Sequence, residues 1–210
     1  MPIYLRRCFL ALPLFPKVRS FGMYDVMQSW KVLDFLRGDG SEEKTGGLYL
    51  NELVQRSTVV PEGGGEYFLH DLIHDFACFL AGEEFYRFGG GTSTEIIPQN
   101  VQYMSVTCGI TSMEIQITSH SLRAIIVETF VNNPDALFLN CKKLRALDFS
   151  CHAEAFPVIM DSLKLLHHLP ARVSGSAQYV MPTSMFHLYN LLQTLELLWY
   201  NGQTVEMFFT

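Results

Sequence analysis

From residue 101 onward one apolar hexad keeps returning, and it limits what this chain can fold into. The hexads are VQYMSV from Val101, LRAIIV from Leu122, LRALDF from Leu144, LHHLPA from Leu166 and LQTLEL from Leu192. They start 21, 22, 22 and 26 residues apart. In each, the first and fourth residues are apolar, and the sixth is Val106, Val127, Phe149, Ala171 or Leu197. Segments this short read as strands, and one strand cannot bury its own apolar face. Each must pack on the next, so this part of the chain is expected to be a stack of short parallel rungs.

All four intervals lie in the 20-to-29-residue window of leucine-rich repeats, whose strand pattern is L-x-x-L-x-L. The expectation is an α/β solenoid over residues 96–210, about five repeats long and incomplete at its C-terminal end. The register is irregular in places. Pro170 falls inside the fourth strand, where it is tolerable only if no ladder donor is needed. The Asn or Cys usual three residues past the sixth position is not clear in any repeat, and His152 holds that place in the third. The chain ends at Thr210, shortly after a strand and without a capping repeat.

Residues 1–90 have a different texture. Pro2 suits a first helical turn, Leu5, Phe9 and Leu12 share a face, and Pro13 and Pro16 stop that helix. A second helix is expected from near Asp25, with Val26, Trp30 and Leu33 inward. GDGSEEKTGG reads as a loop and LYLNELVQRS as a third helix, with Leu50, Leu53 and Val54 inside. STVV and EYFL flank PEGGG, a hairpin signal. A last helix is expected from Asp71 to Ala81, with Asp71 as its cap and Gly82 at its stop. Helices followed by a hairpin form a winged-helix order, an α+β module. FGGGTSTE, residues 88–95, separates it from the repeats.

Charge and motifs exclude several functions. The net charge is −6 with no Lys/Arg run, and the third helix has one Arg beside Glu52, so nucleic acid is not an expected partner. Five cysteines at 8, 78, 108, 141 and 151 include no C-x-x-C pair, which reads as free thiols in a reducing compartment. The apolar run Cys8–Phe15 is followed by Lys17 and Arg19 rather than by a cleavage site. No stretch approaches the roughly 20 apolar residues of a membrane span, so the expected location is cytoplasmic. GDGSEEKT approaches the phosphate loop G-x-x-x-x-G-K-[ST], but Glu43 replaces the last Gly and would set a carboxylate against the phosphates. HDLIH puts His70 and His74 at a zinc-chelating spacing. A zinc protease would need Glu where Asp71 stands, and nothing in the spacing selects Glu84 or Glu95 as third ligand. The reading is a helix with a polar edge. There is no G-x-S-x-G, and no enzyme is expected.

The order CFLALPLFPKVRSF, VMQSWKVLDFL, YLNELVQRSTVV and YFLHDLIHDFACFLAGEE resembles the C-terminal part of the plant NB-ARC domain, the nucleotide-binding switch of NBS-LRR disease-resistance proteins. The first stretch is similar to CFxYCSLFPxxYxF, with Pro13 where Ser or Ala is usual. VMQSWKVLDFL is similar to LIxLWxAEGFL with Asp34 for Gly, and YLNELVQRS to YFNELVSRS. FLHDLIHDFA is similar to FxMHDLxHDLA and gives the Met-His-Asp motif as Leu69-His70-Asp71. CKKLRALDFS and LYNLLQTLEL look like first repeats of the receptor's leucine-rich domain.

The resemblance implies that His70 contacts the β-phosphate of ADP, and that Asp71 caps the following helix and fixes where His70 points. It implies an immune regulator whose repeats mediate autoinhibition and recognition. Its partners would be a pathogen effector or guarded host protein and an upstream nucleotide-binding core. The phosphate loop and the magnesium-binding strand lie upstream in the family. This chain alone is therefore expected to bind no cofactor and hydrolyse nothing, ADP and ATP belonging to the full-length receptor. The alternative is a generic leucine-rich-repeat interaction protein without a nucleotide role.

Overall fold

The computed structural model describes residues 1–17, 19–37, 41–89, 97–107, 120–152, 162–174, 192, 194–199 and 204–207. Two compact units divide the chain, Met1–Arg87 and Phe88–Thr210.

The first unit is built from α1 (Ile3–Ala11), a 3-10 turn at Leu12–Leu14, β1 (Phe21–Gly22), α2 (Met23–Val32), α3 (Glu42–Gln55), β2 (Val60–Gly63), β3 (Glu66–Phe68) and α4 (Asp71–Ala81). Leu5, Cys8, Leu12, Trp30, Leu50 and Leu53 are fully buried. They come from the faces that the apolar spacing marks. The Trp30 indole N–H donates to the Cys8 carbonyl at 3.0 Å, which satisfies a donor that burial would otherwise strand. β2 and β3 form the expected antiparallel hairpin. Its glycines 63, 64 and 65 all have positive φ, a conformation that side chains disfavour.

Three features differ from expectation. β1 is an added strand that pairs with β3, giving the order β1-β3-β2. Helix α2 starts at Met23, where Asp25 accepts the Gly22 N–H at 3.2 Å. Helix α3 starts at Glu42, so residues 42–47 are helical rather than loop. Ser41 caps it, accepting from the Lys44 N–H, and Glu42 and Glu43 sit favourably at the positive end of the dipole. The glycines inside α3 let α2 approach, since a Cβ on Gly46 would lie 2.8 Å from Met27 Cγ. Gly38, Asp39 and Gly40, the start of the phosphate-loop-like stretch, lie outside the described residues.

Helices α2 and α3 end alike. At α2, the Asp34 N–H reaches the Lys31 carbonyl and the Phe35 N–H reaches the Trp30 carbonyl, both at 2.9 Å. At α3, Ser57 reaches Val54 at 2.8 Å and Thr58 reaches Leu53 at 3.1 Å. Both are Schellman motifs, and both place a non-glycine residue in the left-handed region: Asp34 at φ 58 and Ser57 at φ 57.

In the second unit, β5 (Tyr103–Val106), β6 (Ala124–Val131), β7 (Ala146–His152), β8 (His168–Ser174) and β9 (Thr194–Trp199) lie side by side in chain order and run parallel. Within the second unit the sheet order is β10-β9-β8-β7-β6-β5, where β10 is Thr204–Met207; β4 is the strand Phe85–Phe88. The register aligns Tyr103, Ala124, Ala146, His168 and Thr194, the third residue of each hexad. In the first four hexads, every first, fourth and sixth residue is at most 1% exposed, so these positions are the inner face. One backbone bond repeats between rungs: Arg123 N–H to Gln102, Arg145 to Arg123 and His167 to Arg145, each 2.7 Å. Between β6 and β7 comes the short helix α5 (Pro134–Phe138), and Phe138 meets the Phe149 ring edge-on at 5.8 Å.

Irregularities sit where the sequence places them, and also elsewhere. The pairing of β8 with β7 passes from Ala146–His168 to Phe149–Ala171, skipping Leu169 and Pro170, which pair with Leu195 and Glu196 on β9. β6 carries a bulge between Ile126 and Phe130 that no local signal announces. β10 is a further strand, antiparallel to β9, closer to Thr210 than any expected rung.

Candidate functional site

Strand β3 ends at Phe68, and Leu69 turns into the core at 8% exposure. That anchor fixes where α4 can begin. His70 follows as the N-cap of α4, with φ −59 and ψ 143, and is exposed. Its ring meets the Phe68 ring edge-on, 5.1 Å between centres. Its carbonyl accepts the His74 N–H at 2.9 Å, the first bond of the helix.

The expectation that Asp71 caps α4 is corrected by this geometry. Asp71 is the first helical residue, and the cap position belongs to His70, whose side chain makes no capping bond. A cap needs extended backbone so that its side chain can fold back to the second or third amide. At the first helical position the carboxylate interacts with the helix dipole instead. Asp71 therefore adds negative charge beside His70 rather than steering it through a cap.

His74 lies one turn further on and has another environment. It is 9% exposed. Its Nδ1 is 3.6 Å from Cys78 Sγ and 3.7 Å from Asp75 Oδ1, while its buried Nε2 has no hydrogen-bond partner among the described residues. Asp75 is held by Lys17, whose ammonium donates to both carboxylate oxygens at 2.7 and 2.9 Å. That bond keeps the Asp75 carboxyl below its usual range and raises Lys17. Partial burial pushes the Cys78 thiol up. The Lys17–Asp75 bond ties the segment after α1 to α4, a link across 58 residues that spacing alone does not signal.

The two histidines are thus not a chelating pair on one helical face. His70 lies outside the helix proper and in solvent, and His74 lies inside. Glu84 follows α4, half-buried, and Glu95 lies outside the described residues. Among the described residues, no three His, Cys, Asp or Glu side chains are grouped to hold a metal ion. What the site does offer is an exposed imidazole at the start of an eleven-residue helix, beside first-turn amides that have no partner within the helix. Both are donors suited to an anionic oxygen, with the Asp71 carboxylate offsetting part of that attraction. None of the helices among the described residues is long and apolar enough to cross a membrane.

Comparison with known proteins agrees with this reading of the first unit. Residues 14–77 match the family described as the disease resistance protein winged helix domain. The chain is 27% identical to the disease resistance RPP13-like protein 1 of Arabidopsis thaliana, over 93% of this chain and 20% of that protein. It is 32% identical to disease resistance protein RGA1 of Solanum bulbocastanum, over 58% of this chain and 12% of that protein. Disease resistance protein RGA4 of the same species is 35% identical over 38% of this chain and 9% of its own length. The chain therefore spans a fifth or less of these relatives. Residues 14–77 are thus similar to the winged helix domain of disease resistance proteins, and the relatives that extend beyond that segment are plant disease resistance proteins.

Proposed function

We propose that this chain is part of an intracellular, cytoplasmic plant immune receptor, in which His70 latches ADP and the parallel rungs of residues 96–210 are leucine-rich repeats. The observation that carries the latch is the position of His70: exposed, at the N-cap of α4, and held against Phe68. An imidazole N–H there can donate to a phosphate oxygen. In the ADP state that bond ties the winged helix to an upstream nucleotide-binding core. The repeats hold the receptor closed and meet a pathogen effector or a guarded host protein, and recognition shifts the population toward the open, ATP-bound state. The spacing of the hexads, the shared register of their third residues and the burial of the first, fourth and sixth residues in the first four support the repeat assignment.

The role is regulatory and not enzymatic. With Glu43 in place of the glycine of a phosphate loop, this chain has one latch residue and no cradle for a nucleotide. The test is His70→Ala in a full-length receptor expressed in leaf tissue. Cell death without effector is expected, because losing the bond weakens the ADP state alone. A variant that accumulates to the same level and stays silent would overturn the latch.

A further inference from the structure

We draw no further inference here: the strongest candidate, the exposed apolar face of α4 formed by Leu72, Phe76, Phe79 and Leu80, carries nothing because nothing in the structure shows what covers it.

Discussion

Ser57 offers a sharp test of the backbone reasoning. It closes α3 in a left-handed conformation, φ 57, with both Schellman bonds made. An L-residue in that region carries a cost of about 1–2 kcal/mol that glycine escapes. Glycine in turn enlarges the unfolded ensemble, at a cost of about 0.4–1 kcal/mol. Ser57→Gly should therefore stabilise the first unit by about 0.5–1 kcal/mol. For a unit the size of Met1–Arg87, each kcal/mol moves the midpoint by about 4–8 °C, so a rise of roughly 2–8 °C is expected. Asp34→Gly should gain less. Asp tolerates this region better than most residues, and its carboxylate pairs with Arg37 at 3.0 Å, an exposed contact worth about 0–1 kcal/mol. Differential scanning calorimetry of the whole chain measures both, and Ser57→Ala is the control because it keeps the strained backbone. If the alanine variant gains as much as the glycine variant, or if Ser57→Gly melts lower than the parent, backbone strain is not what Ser57 contributes.

Three further substitutions probe the core, a buried donor and a surface ion pair. Phe149→Ala empties a fully buried rung position beside Phe138 and should cost about 3–5 kcal/mol in urea unfolding; a loss under 1 kcal/mol would contradict the stacked core. Trp30→Phe keeps a ring but leaves the Cys8 carbonyl without its donor, so a loss of about 1–3 kcal/mol is expected by the same assay. Asp75→Asn tests pH dependence. The folded carboxyl sits below its unfolded value because of Lys17, so its stabilisation is present above the unfolded pKa and disappears as pH falls through the folded one. The midpoint gap between parent and variant should be open near neutrality and close in strong acid; a gap that persists in acid would show that the loss is not electrostatic.

Much of this architecture could be read from residue types, and the exceptions have identifiable causes. The strands of the second unit declare themselves because a buried parallel sheet demands apolar side chains, and Val101, Met104 and Val106 are buried as their spacing requires. The end of α4 is equally legible, since Gly82 adopts φ 56. The start of α3 was not. Gly46 and Gly47 are poor helix formers, and they read as loop until the approach of Met27 explains them. That is a tertiary effect with no local trace. β1 and β10 escape for a related reason: the two paired residues of β1 give no alternation to detect, and β10, defined by its pairing with β9, needs that neighbour to be known.

The site is less legible still, and the reason is physical. Asp is the better cap by type, so local chemistry favours starting the helix after Asp71. The structure starts it one residue earlier because Leu69 is drawn into the core, and His70 then takes the extended cap conformation. That single-residue difference decides the character of both histidines. It leaves His70 in solvent against Phe68, while the i, i+4 neighbour His74 rotates inward toward Cys78 and loses access. Two identical side chains in a symmetric-looking H-x-x-x-H run therefore differ in what they can touch. Of the two, His70 presents its ring to solvent and His74 is buried.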